Sequence, residues 1–398
     1  MLEGVTVLDT THHVAGPFCT KLLAESGAEV IKVERPKVGD PARSFPPFFR
    51  SSPDIESSAL FFYLNTGKKS VTINLKQEAG QEIFRDLVKH SDILVENFSP
   101  RVMPSLGLDY VHLKEINPHL VMVSISNFGQ FGPYKDWKSS ELVTFAISGV
   151  SYSAYGLPGL EPIKPYGSVA QHMAGLFGAV SAMIAYYCRK REGFGQYVDI
   201  SMMDAVASLE EHSIPMAAYE DKIRQRSSRH PSSHPNSVFP CKDGYVYFAV
   251  SGARQWQTLC AIAGFPNEWA SDESPFLRGE YRKARADEID AFLAPWLISK
   301  TKQELQELSF QMLFPSAPIK NISEVTNDPQ HMEREFFSAV EHPYAGKIQI
   351  PGVPFKVDST RTRQTRAPML GEHNKEIFSH YLNYSTHDLA MLGKQGTI

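Results

Sequence analysis

Between Gly167 and Ala205 the chain reads GSVAQHMAGLFGAVSAMIAYYCRKREGFGQYVDISMMDA. This is an apolar helix of small residues, a basic cap, the turn Gly193-Phe194-Gly195-Gln196 and a strand. Gln171 opens the helical part. Its carboxamide is neutral and a poor nucleophile, able only to donate and accept hydrogen bonds. Elsewhere, the turn Ala15-Gly16-Pro17 joins a strand to a helix with small residues, which lets backbone N–H groups approach a phosphate. His12, His13, His172, His230 and His234 offer bases or ligands, but their spacing fits no familiar metal site, and no metal is expected. The four cysteines, at 19, 188, 241 and 260, form no CxxC pair. They read as reduced thiols of a cytoplasmic protein.

The elements that must position these residues alternate. Val5 to Leu8 predicts a strand, Ala15-Gly16-Pro17 opens a helix to about Ser26, Gly27 stops it, and Glu29 to Val33 predicts a second strand. Lys69 to Leu75, Ile93 to Val95 and Val121 to Ile125 extend the series, with a helix over Gln77 to His90. Strands linked by helices favour a parallel sheet, so the expected class is α/β, a Rossmann-like large domain plus a smaller α+β domain. Met202 to Ala218 reads as one helix. Residues 220–236, EDKIRQRSSRHPSSHPN, turn basic and Ser/Pro-rich, which predicts a linker. The large domain is thus 1–219 and the small one 237–340, with strand Val238 to Val250 and helices near Arg254 to Ala263 and Lys302 to Leu308. The Pro and Gly of 341–354 predict a return linker.

At 398 residues the chain exceeds one compact core. Hydrophobic content of 42% and charged content of 21% are those of a globular protein. A formal net charge of −4 without a basic block argues against a nucleic-acid partner. The most apolar run, Met173 to Cys188, is short for a membrane span, and no secretory leader is read at Met1, so no membrane role is expected.

Ordered motifs run along nearly the whole chain. They are LEGVTVLD at Leu2–Asp9, Ala15-Gly16-Pro17, GAEVIKVE at Gly27–Glu34, and Gly39-Asp40 with Arg43. Asn65–Ser70, Lys76 after Asn74, Glu96-Asn97-Phe98-Ser99-Pro100, Leu106-Gly107-Leu108 and Asn117-Pro118 follow. SISNFGQFGPY at Ser124–Tyr134, Phe239–Phe248, Ser251-Gly252 before Arg254-Gln255-Trp256, Asp328-Pro329-Gln330 with Arg334, and APMLGEHN at Ala367–Asn374 complete the series. Together they resemble the class III CoA-transferases, the family of formyl-CoA transferase, carnitine CoA-transferase and methylacyl-CoA racemase.

The resemblance implies an interlocked dimer, a large domain completed by 355–398, and coenzyme A or an acyl-CoA as substrate. Its CoA contacts fall on Val14, Ala15, Arg35, Ile73, Lys76, Asn97, Phe98, Ser105 and Lys138. Val14 and Ser105 stand where relatives often carry Gln and Arg. The family's nucleophile is an Asp 25 residues before the Gln of the Gly-x-Gly-Gln turn; here that position is Gln171. The racemase branch pairs this Asp with a His before the acidic residue of the preceding helix; here Ser140 precedes Glu141. The resemblance therefore implies an acyl-CoA:carboxylate CoA-transferase chain without its nucleophile, acting beside a homologous Asp-bearing subunit. Heteromeric members suggest succinyl-CoA as donor and an aromatic or substituted dicarboxylate such as benzylsuccinate as acceptor. Two alternatives stand beside it: catalysis through another group, with Glu141 the matched candidate, or CoA-ester binding without transfer.

Overall fold

The computed structural model describes residues 1–227, 229–230, 232–357 and 364–398. Residues 228 and 231 of the expected linker, and 358–363 of the closing segment, lie outside the described residues. The chain forms two compact units, one of Met1–Ser153, Ile163–Ile223 and Met332–Ile398, the other of Ala154–Pro162 and Arg224–His331.

The first unit is built on six parallel strands: β1 (Thr6–Asp9), β2 (Glu29–Glu34), β3 (Lys68–Thr72), β4 (Ile93–Glu96), β5 (Val121–Ser126) and β6 (Tyr197–Ser201). Their spatial order is β3-β2-β1-β4-β5-β6. The direction of winding reverses between β1 and β4, and an open α/β sheet leaves a crevice at the carboxyl ends of such a pair. Both faces of β4 and β5 are buried throughout, as the β-branched runs require of a covered parallel sheet.

The helices of this unit are α1 (Ala15–Glu25), α2 (Ala59–Leu64), α3 (Glu78–Lys89), α4 (Val102–Ser105), α5 (Tyr110–Ile116), α6 (Glu141–Ile147), α7 (Val150–Ser153), α8 (Val169–Glu192), α9 (Met202–Ala207) and α10 (Ser213–Glu220). α3 shows how the sheet is covered: Ile83, Phe84, Leu87 and Val88 form one apolar stripe, buried with Leu94, Met122 and Phe378. Each such side chain contributes about 1.5–3 kcal/mol by leaving water.

α8 covers the other face. Its small residues Ala174, Gly175, Gly178 and Ala182 are buried, and they bring the backbone close to its neighbours. A Cβ added to Gly175 would sit 2.5 Å from the Ala15 carbonyl oxygen, and one at Gly178 2.8 Å from Ile125 Cδ1. α8 is long and apolar enough to cross a membrane by length and composition. Its opposite face carries Leu176, Phe177, Val180, Ile184 and Tyr187, all exposed. Gly193 ends it in the left-handed region, φ 80°. Gly195 then lies so near Leu120 that a Cβ would fall 2.0 Å from that carbonyl oxygen. The Gly-x-Gly-Gln turn is thus dictated by its packing.

Three elements differ from the sequence reading. The helix expected over Met202 to Ala218 is broken into α9 and α10. Ser208 Oγ bonds the Ala205 carbonyl at 2.8 Å, and Glu210 is drawn inward onto the Ser153 hydroxyl. The return linker expected over 341–354 is largely an antiparallel hairpin, Phe337–His342 with Gly346–Pro351, its Pro343 lying in the turn and its Gly346 opening the second strand. That hairpin belongs to the first unit, so the second ends at His331, short of the expected 340.

The second unit pairs β7 (Asn236–Cys241), β8 (Gly244–Ala249) and β9 (Ser316–Pro318) as an antiparallel sheet. Trp256, Phe265, Trp269 and Phe276 fill its core, with Trp269 and Phe276 stacked at 4.4 Å. Arg282 is buried beside them and donates to the carbonyls of His234, Phe276 and Ser251, which substitutes backbone acceptors for a counter-ion.

Candidate active site

The turn from β1 into α1 is held by side chains of several separate segments. Asp9, fully buried, accepts from the Thr11 N–H at 2.9 Å and from the Thr20 hydroxyl at 2.7 Å. Lys32 donates to the Thr11 carbonyl at 2.9 Å, Asp40 accepts from the His13 N–H at 3.0 Å, and Lys68 donates to the Pro17 carbonyl at 2.9 Å. The Asn97 amide grips His12 from both sides, accepting from its N–H and donating to its carbonyl, each at 2.8 Å. Such a frame keeps the turn in one shape, with His13 at φ 65° as its strained residue.

The cations that make this frame are themselves buried. Lys68 reaches Asp9 Oδ2 at 2.9 Å, Thr20 Oγ1 at 2.7 Å and Asn65 Oδ1 at 2.9 Å. Lys32 sits 2.9 Å from Asp40 and 4.0 Å from Asp9. Burial brings Lys68 down to about 8 against the pull of Asp9. Burial opposes the charge on Asp9 too, but Lys32 and Lys68 outweigh it and hold that carboxyl well below its usual range. His12 is pushed down to about 4 by burial, with Lys32 and Arg35 adding to the effect, so its imidazole is neutral near pH 7. None of Asp9, Lys32, Asp40 or Lys68 was singled out from the sequence for this role. The available signal was Lys32 inside the otherwise apolar strand EVIKVE.

The sites expected for CoA gather unequally. Val14 and Ala15 are buried at the head of α1, and Asn97 and Phe98 follow β4, so all four lie at the crevice between β1 and β4. Phe98 sets its ring edge-on to His12 at 5.1 Å. Arg35 follows β2 and is exposed. Ile73 follows β3, but its side chain belongs to the core, while Lys76 beyond it is exposed. Ser105 ends α4 with its hydroxyl on the Val102 carbonyl at 2.7 Å, and Lys138 is exposed on the segment before α6. These last two are not joined to the turn by any bond among the described residues.

Gln171 lies in the first turn of α8, one turn before the Gly175 that touches Ala15. The next residue, His172, packs its ring on Phe18 of α1 at 4.6 Å, which ties this end of α8 to the turn. His172 Nδ1 faces the Ser168 carbonyl at 2.7 Å; a carbonyl only accepts, so Nδ1 carries the proton. Glu141, at the start of α6, spends both carboxylate oxygens on α8. Oε1 accepts from the Ala170 N–H at 2.9 Å and Oε2 from the Gln171 N–H at 3.2 Å. A helix N-terminus stabilises an anion there and draws on the lone pairs a nucleophile would need.

His230 and His234 belong to the second unit: His234 pairs with Asp290 at 2.7 Å, and His230 Nδ1 faces the Ser232 N–H at 3.3 Å. A cleft of about 660 Å³ in that unit, lined by Asp243, Lys302, Gln306, Phe310 and Glu324 among others, contains none of the expected site residues.

Residues 2–374 match the model of CoA-transferase family III. The formyl-CoA:oxalate CoA-transferase of Bradyrhizobium sp. (strain ORS 278) is 32% identical over 100% of this chain and 97% of its own length. Two proteins of Chloroflexus aurantiacus are similar at comparable length. Succinyl-CoA–D-citramalate CoA-transferase is 34% identical over 98% of this chain and 96% of itself. The beta subunit of succinyl-CoA–L-malate CoA-transferase is 31% identical over 96% and 94%. Among solved structures, a CaiB/BaiF family protein from Brucella suis superposes with a TM-score of 0.85 at 27% identity, covering 96% of this chain and 99% of that one.

Proposed function

This chain belongs to CoA-transferase family III, and from that premise we propose that it is the non-nucleophilic subunit of a heteromeric CoA-transferase. The observation that carries the proposal is the pair at the head of α8. Gln171, a carboxamide, stands where the family resemblance puts the nucleophile, and the adjacent carboxylate, Glu141, accepts from two backbone N–H groups. The pinned turn at 12–17 and the Asn97–Phe98 loop remain as a cradle for a CoA thioester. Arg35, exposed beside it, supplies a cation for the phosphates of CoA.

The missing carboxylate comes from a related Asp-bearing chain. That Asp attacks the thioester carbonyl and releases the CoA thiolate, leaving a mixed anhydride. The thiolate attacks the aspartyl carbonyl, and the donor acid departs. The acceptor carboxylate then attacks the resulting aspartyl thioester, and CoA returns to the acyl group of the second anhydride, freeing the Asp. Two similar proteins carry succinyl-CoA in their names, and one is named as a subunit. These names support succinyl-CoA as donor and a substituted dicarboxylate as acceptor. The apolar face of α8 supports a large subunit contact, of the interlocked kind the family resemblance implies.

The test is to assay the purified chain for CoA transfer from succinyl-CoA, alone and with a related chain carrying Asp at the matched position. Transfer only in the mixture, with a hydroxylamine-sensitive acyl adduct on the partner's Asp, is the expected result. Full activity of this chain alone would overturn the proposal.

A further inference from the structure

Two carboxyl groups beside the crevice take no part in the steps above. In the parallel register Glu96 of β4 lies opposite Ser124 of β5, and Ser124 opposite Asp199 of β6. The three side chains therefore share one face of the sheet in a single row. Each carboxyl holds one loop. Glu96 Oε2 accepts from the Phe98 N–H at 2.8 Å, and Asp199 Oδ2 accepts from the Gln130 N–H at 2.9 Å. The first loop carries Asn97, which grips His12; the second belongs to the SISNFGQFGPY segment.

Among the described residues no cation acts on this pair. The charge acting on Glu96 is that of Asp199, and the charge acting on Asp199 is that of Asp204 at the start of α9. Burial, helped by Asp199, outweighs the Ser124 hydroxyl and the Phe98 N–H and pushes Glu96 up to about 7. Burial likewise raises Asp199 against the Gln130 N–H. Further titratable groups among the described residues near this pair include Tyr197, pushed up to about 12 by burial, and Tyr110 of α5, stacked on it at 5.4 Å. Asp109, ahead of α5, acts on Tyr197. Asp9 and its lysines lie on the opposite face, because β1 pairs Asp9 with Val95 rather than Glu96.

We propose that Glu96 is a proton-dependent positioning residue for CoA binding. As the neutral acid it fixes the Phe98 loop without adding charge to the crevice; as the carboxylate it sets a second buried anion beside Asp199 and weakens the hold on an anionic ligand. The inference rests on the CoA reading of the crevice. It predicts that affinity for CoA falls about tenfold as pH rises from 6 to 8.5, the order expected for one added charge at an effective dielectric of about 20.

The test measures the Kd of coenzyme A itself by calorimetry across that range, for the assembled protein and for Glu96→Gln, whose amide keeps an acceptor for the Phe98 N–H. The expected result is a fall in the native protein about tenfold larger than that in Glu96→Gln, where Lys68, brought down to about 8, still titrates in this range. The same fall in both would overturn the proposal alone. No CoA binding at any pH would overturn the crevice reading and the proposal with it. Infrared difference spectra on protein with labelled glutamate keep the question open to test if the variant does not fold. A carboxylic C=O band lost between pH 6 and 8.5 supports the assignment, and the lack of any such band at pH 6 defeats it.

Discussion

Glu141 and Gln171 are joined through the backbone of α8: Glu141 Oε2 accepts from the Gln171 N–H at 3.2 Å while Oε1 accepts from the Ala170 N–H at 2.9 Å. The acid bonded beside Gln171 is thereby the cap of its helix. Ser168, the residue in the N-cap position, makes no side-chain capping bond, so the capping falls to Glu141. We expect Glu141→Ala to cost about 1 kcal/mol of stability, read from the denaturant midpoint. Glu141→Gln should leave transfer by the assembled enzyme within a few-fold of native. An acyl adduct trapped on Glu141 by hydroxylamine would contradict this assignment.

Asn97 is the bond between the two loops of the crevice. Asn97→Ala removes two hydrogen bonds to His12, each worth about 1 kcal/mol net. The expected outcome is a KM for the acyl-CoA raised about tenfold with a smaller change in kcat, because the variant loosens binding geometry and leaves the attacking group alone. Steady-state kinetics decide it; an unchanged KM would mean that the turn keeps its shape without Asn97.

Gly175 sets the distance between α8 and the head of α1. In Gly175→Ala the new Cβ would meet the Ala15 carbonyl oxygen at 2.5 Å, and a backbone atom cannot rotate away. The helix must shift, at a cost of about 1–3 kcal/mol. The check is a thermal melt of native and variant. An unaltered midpoint would show that the contact yields more easily than its geometry implies.

Acid should weaken the fold through two buried imidazoles. His12 and His342 are each lowered from 6.5 to about 4, chiefly by burial. The unfolded chain takes up these protons as pH falls through 6.5, and the folded chain resists until about 4, so stability is lost between those values. His342 Nδ1 accepts from the Tyr344 and Ala345 N–H groups, a role that a side-chain amide oxygen can share. His342→Gln should therefore flatten the denaturation midpoint against pH between 6.5 and 4. An equal slope in both proteins would remove His342 from the account.

Much of the large sheet was legible. EVIKV and VMVSI are β-branched runs with nowhere to lie but a covered sheet, and Gly27 and Gly193 mark helix ends by backbone freedom alone. The carboxamide at the position the resemblance assigns to the nucleophile was equally plain, since it depends only on residue type at position 171. What periodicity could not show was charge inside the fold. Asp9, Lys32 and Lys68 come from three strands and meet only when β1, β2 and β3 assemble, so no local pattern marks their meeting, beyond a lysine amid the apolar residues of EVIKVE. The same holds for Glu96 and Asp199, about a hundred residues apart in sequence and two strands apart in the sheet. The hairpin at 337–351 was missed for a different reason: Pro343 and Gly346 suit a turn as well as a linker, and only the pairing of FSAVEH with GKIQIP separates the two.

The exposed face of α8 bears on how the cell must make this protein. Leu176, Phe177, Val180, Ile184 and Tyr187 lie along one side of a 24-residue helix whose other side is already committed to the core. On the heteromeric reading proposed above, chain made in excess of its partner would leave that side uncovered, open to aggregation and to capture by chaperones and proteases. Its abundance would then follow the supply of its cover rather than its own rate of translation.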